Sequence, residues 1–101
     1  RIYFAGQITG VEGYVESISS GMLAALNAIQ MFNGINEKVT YPEITMIGCL
    51  AKYISTEHDN FQPMNANFGI LPVLEKKIRD KKERYEALAN RSMEYFESLN
   101  L

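Results

Sequence analysis

The stretch FAGQITGVEGY, residues 4–14, decides how this chain is read. Glycines at 6, 10 and 13 follow directly on the apolar run Ile2-Tyr3-Phe4-Ala5. An apolar, aromatic-rich run ended by glycine predicts a short buried strand at Ile2–Phe4. A helix is predicted next. Thr9 and Glu12 have capping-box spacing, with Gly13 allowing a start a few residues later. Ile18, Met22, Leu26 and Ile29 then recur at helical spacing, and Ser17, Ser19, Ser20 and Gly21 form a small-residue patch open to close backbone approach. Asn33-Gly34 ends the helix, Gly34 being suited to a left-handed cap.

Working outward, Val39–Tyr41 reads as a second short extended piece before Pro42. A second helix is expected from Glu43 to about Ser55, with Ile44, Ile47, Leu50, Ala51 and Ile54 on one face. Residues 56–72 hold two prolines, three asparagines and a glycine and read as a long loop. Its apolar members Phe61, Met64, Phe68, Ile70 and Leu71 predict that it is ordered, and ordered loops of this length are often functional. A last amphipathic helix is expected from about Val73 to Leu99 on the stripe Leu74, Ile78, Tyr85, Leu88, Ser92, Phe96 and Leu99, with Lys81 interrupting it. The organisation is thus 1–55, the loop 56–72, and a helical end at 73–101.

The 101 residues fit one small domain or a piece of a larger one, and 47% apolar with 22% charged residues is a globular composition. No apolar run approaches the ~18 residues of a membrane span, and no basic segment leads into an apolar signal core. The single Cys49 cannot form an internal disulfide, which favours a reducing cytoplasm. Its mid-helix position without a histidine neighbour reads as a small buried residue, and His58, in the loop, as solvent-exposed. A net charge of −2 argues against a dedicated nucleic-acid-binding domain, yet seven of the ten Lys and Arg lie between Glu75 and Arg91. Lys77, Arg84 and Arg91 are spaced by seven, with Lys81 close by. They form a flank that could meet phosphates, or else a solvated charge-laced face.

A strand, a glycine turn and a helix start make a cofactor site possible. Glycines let the backbone approach a ligand, and the free N–H groups of the helix start suit a phosphate or an electron-rich carbonyl edge. The spacing of Gly6, Gly10 and Gly13 is not the Gly-x-Gly-x-x-Gly fingerprint, so a plain tight turn remains open on spacing alone. Asn65, Asn67 and Phe68 could line a pocket through hydrogen bonds and stacking, or form a loop whose amides satisfy their own backbone.

RIYFAGQITGVEGYVES (1–17), followed by the small-residue helix, resembles the second flavin-binding motif of the GidA-like flavoproteins that modify tRNA uridines. NFQPMNANFG (60–69) and LEKKIRDKKERYEALA (74–89) resemble one branch of that family, the folate- and FAD-dependent tRNA (uracil-5-)-methyltransferases. The sister branch, which builds carboxymethylaminomethyl groups on wobble uridines, shares the first motif but continues into a longer helical region, and is the alternative within the enzyme class. The resemblance implies a mainly α fragment of an α/β FAD-binding, Rossmann-like protein, with one or two short strands and three helices. It implies that Gly6, Gln7, Gly13 and Tyr14 touch FAD in the intact protein, Gln7 serving ribityl hydroxyls without adding charge. It further implies methylenetetrahydrofolate and NAD(P)H as co-substrates, tRNA as partner, and a cytoplasmic enzyme. The family's first dinucleotide motif and its cysteine nucleophiles are expected upstream of Arg1, leaving no catalytic residue here and no metal site. The isolated chain is then expected to be inactive and to self-associate through its uncovered strand edge and helix face. A freestanding helical RNA-binding module is the alternative outside the enzyme class.

Overall fold

The structure, a computed structural model, describes residues 2–99. Arg1, and the part of the expected last helix that falls on residues 100 and 101, lie outside the described residues. Three α-helices carry the chain: α1 (Tyr14–Phe32), α2 (Met46–Ser55) and α3 (Lys81–Ser98). None of them is long and apolar enough to cross a membrane.

Helix α1 begins at Gly13 rather than at the Thr9–Glu12 box, because residues 7–9 close a separate 3-10 turn ending at Gly10. It ends where the sequence placed the stop, with Gly34 at φ 74° accepting the left-handed geometry. Helix α2 is set by a tight turn. Thr45, fully buried, donates its hydroxyl to the Pro42 carbonyl (2.7 Å) and accepts from the Gly48 amide (3.1 Å). That N-cap moves the helix start from the expected Glu43 to Met46.

Two expected strands are absent among the described residues. Ile2–Phe4 is unpaired and exposed, Ile2 by 80%. A strand needs a neighbour to take its backbone groups, and no described segment supplies one. Val39–Tyr41 is also unpaired as a strand. Instead the Asn27 side chain takes both polar groups of Val39, accepting from its amide (2.9 Å) and donating to its carbonyl (3.0 Å).

The last helix is shorter than the periodicity predicts. Residues 71–80 form an irregular strap, and α3 is capped by Asp80, whose carboxylate accepts from the Glu83 amide (3.0 Å). Arg91 holds the strap against α3, donating to the carbonyls of Pro72 (2.7 Å) and Val73 (3.2 Å). Lys77 therefore lies off the helix, and the flank of residues spaced by seven is not continuous.

The core is thin. Cys49, Leu71 and Leu88 bury together where α2, the strap and α3 meet, with Met46, Phe68, Ile70, Leu74 and Tyr85 packed against them. A second buried point is Val11, only 1% exposed, between the glycine loop and the long loop. The radius of gyration of 14.8 Å exceeds the ~13 Å of a compact domain of this size. A long run of apolar residues is also left uncovered. Phe4, Ile8, Val15, Ile18 and Phe32 all stand exposed along the first segment and α1.

Candidate functional site

Gly6, Gly10 and Gly13 all have positive φ (80°, 107° and 109°), so the loop between the first segment and α1 is glycine-dependent throughout. Gly6 is fixed from both sides. Its amide donates to Ser20 Oγ (2.8 Å), and its carbonyl accepts from the Thr9 amide and hydroxyl (3.0 and 2.7 Å). Gly13 is the N-cap of α1 and has no side chain to cap it, so the first N–H groups of a 19-residue helix stay open. Gly6, Gln7, Gly13, Tyr14 and Ser17 together line one concavity of about 470 Å³ at that helix end. All four residues singled out for a cofactor are in it, with Tyr14 92% exposed. Ser17 was read only as part of a small-residue patch. Its place one turn after Gly13 on the same helix face is the signal that brings it to the concavity.

Glu16 tempers the positive pole of this helix end. It lies in the first turn, and its carboxylate accepts from the Ala66 amide (3.0 Å) in the long loop. A carboxylate already placed there favours a neutral polar ligand group over a second full negative charge.

The long loop 56–72 is ordered by docking onto the glycine loop. Met64 forms a parallel bridge with Val11, donating to the Gly10 carbonyl (2.7 Å) and accepting from the Glu12 amide (2.9 Å). Phe61 lies over Gly10, where an added Cβ would come within 2.4 Å of the ring. The ring is held by Tyr53 and His58, with centroids 5.3 and 5.8 Å away. His58 is thus half-buried in an aromatic cluster rather than solvent-exposed, its Nε2 2.9 Å from the Tyr53 carbonyl.

The other candidate residues separate into distinct places. The Asn67 amide donates to the Asn65 carbonyl (3.0 Å), so this pair is largely engaged with its own loop. Phe68 stacks on Tyr85 of α3 at 4.4 Å and 23°. Lys77 and Arg84 line a groove beside that pair, and Lys81 lies over the Tyr85 ring. Arg91 faces the strap carbonyls instead.

Cys49 is no nucleophile in this arrangement. Burial pushes its thiol from an ordinary 9.0 up to about 11, with Glu43 acting in the same direction. The nearby cation Lys52 is paired with Glu43. The thiol therefore stays protonated at neutral pH.

The open helix end, the positive-φ glycine loop and Gln7 meet at this one concavity. Residues 1–36 match the family described as Glucose inhibited division protein A. Over 100 residues, 97% of its length, the chain is 60% identical to the methylenetetrahydrofolate--tRNA-(uracil-5-)-methyltransferase TrmFO of Staphylococcus haemolyticus (strain JCSC1435). It is 59% identical to the protein of the same name from Staphylococcus aureus (strain Newman). The chain belongs to this GidA-like family, and it spans 23% of the length of these relatives.

Proposed function

We infer that this chain is the C-terminal part of a GidA-like tRNA (uracil-5-)-methyltransferase. The intact enzyme would transfer a one-carbon unit from methylenetetrahydrofolate to uridine C5 in the tRNA T-loop, in the cytoplasm. Reduced FAD supplies the electrons, and NAD(P)H reloads it. The observation that carries this reading is the convergence of Gly6, Gln7, Gly13 and Tyr14 on one concavity at the open start of α1. The residues fit a flavin. Among the described residues the space above Gly6 is clear, with no atom within 4 Å of a Cβ built there, so a planar ligand can approach the backbone. The helix N–H groups suit the carbonyl edge of the ring, and Gln7 can donate to and accept from ribityl hydroxyls. Glu16 makes a diphosphate the poorer occupant of this particular spot.

Gln7→Ala in the full-length protein removes one or two hydrogen bonds to the cofactor. FAD affinity is expected to fall about tenfold at roughly 1 kcal/mol per bond. Absorbance of bound flavin after dialysis reads this directly. Undiminished flavin in Gln7→Ala, together with undiminished flavin in Gly13→Val, would overturn the assignment.

The exposed apolar surface of the first segment and α1 is, on this reading, where the rest of the enzyme packs. Exposed apolar patches of this extent mark interfaces. The isolated 101-residue chain is accordingly expected to self-associate, with sedimentation velocity showing species above the 11.5 kDa monomer. A monodisperse monomer at high concentration contradicts it.

A further inference from the structure

A groove of about 550 Å³ runs between the strap and α3, away from the glycine loop. Its floor is apolar and aromatic, built on the Phe68–Tyr85 stack with Leu74. Its rim carries Lys76, Lys77 and Arg84, and among the described residues no carboxylate lines it, although the whole chain has more acidic than basic residues. Arg84 lies over the Tyr85 ring at 5.6 Å and Lys81 at 5.5 Å, so charge and aromatic surface are presented together. An occupant that matches must be planar, partly apolar and negatively charged. A nucleotide satisfies all three, its base against the aromatic floor and its phosphate at the rim.

We propose that this groove holds an unpaired nucleotide of an RNA, giving the enzyme a second grip on its substrate apart from the flavin site. The inference rests on the methyltransferase reading for the identity of the RNA, but the groove itself is tested with any single strand. Two kinds of variant separate its two chemistries. Lys76→Gln with Lys77→Gln removes rim charge without touching the core. Phe68→Leu keeps an apolar filling and removes the stacking surface.

The test is equilibrium binding of tRNA transcript, and separately of oligouridylate, to the full-length protein across a salt series. The lysine double variant is expected to bind both RNAs about tenfold more weakly, with a salt slope shallower by about 1. Phe68→Leu is expected to weaken binding about 5- to 100-fold with the salt slope unchanged. Bound flavin should remain at the wild-type level in both. If the variants bind both RNAs as wild type does, the proposal is wrong even where tRNA binding itself is confirmed. Unchanged RNA binding with a raised KM for polyglutamylated folate would also overturn it, marking the groove as a seat for an acidic tail. A wild-type protein that ignores tRNA would instead count against the methyltransferase reading. Oligouridylate would then decide the groove, and failure to bind it would overturn the proposal.

Discussion

Gly48→Ala is expected to destabilise the fold by about 3 kcal/mol, although alanine is the better helix former by ~1 kcal/mol. Gly48 sits in the first turn of α2, buried against the preceding turn. A Cβ there would lie 2.0 Å from the Pro42 carbonyl oxygen and 2.5 Å from that of Tyr41. Both obstacles are backbone, so no rotamer change relieves them. Moving Pro42 away breaks the Thr45 cap, since the Thr45 amide and hydroxyl both donate to that carbonyl. The damage would reach Cys49 and Leu50, two of the few buried apolar residues. Domains of this size hold only ~5–15 kcal/mol in total, and a thin core belongs near the low end. Gly21→Ala is the control of opposite sign in the 101-residue chain, because it lies within α1 with nothing within 4 Å of its added Cβ. Denaturant midpoints of the two variants measure both effects. Equal midpoints would show that α2 can slide off the Pro42 turn at no cost.

Gly10→Ala is expected to loosen the glycine loop without touching the concavity proposed for the flavin. Two penalties combine. The backbone at φ 107° disfavours any side chain by about 1–2 kcal/mol, and the new methyl occupies space taken by the Phe61 ring. If the ring leaves, it abandons Tyr53 and His58 and pulls on the Met64 bridge three residues later. Bound flavin in the full-length protein should therefore fall severalfold. A double-mutant cycle apportions the two penalties. Phe61→Ala makes room for the methyl but leaves the dihedral strain, so a coupling of about 1 kcal/mol is expected between the two changes. Strictly additive effects would show that ring and glycine do not communicate.

The features legible in the sequence were those decided locally. Asn33-Gly34 stops α1 where φ must turn positive, and Gly6, Gln7, Gly13 and Tyr14 line one concavity because they flank one short turn. The failures each involve a partner far along the chain or outside it. Ile2–Phe4 has strand-like residues, but strand pairing depends on a neighbour absent from the described residues. The start of α3 was misplaced because Leu74 and Ile78 keep the helical period while packing from a strap. The Asp80-x-x-Glu83 spacing was the local sign that outranked it, and Arg91 the distant one that pinned the strap. Nothing in either loop alone announces that Met64 bridges Val11.

That bridge has a consequence for biosynthesis. The glycine loop shares two backbone hydrogen bonds with Met64, accepting one at Gly10 and donating one from Glu12, so its final shape is unavailable while residue 64 is still inside the ribosomal tunnel. Residues 1–63 can be synthesised and begin to fold without it. The shape this loop offers to any ligand is therefore reached only after the chain has grown well past residue 64.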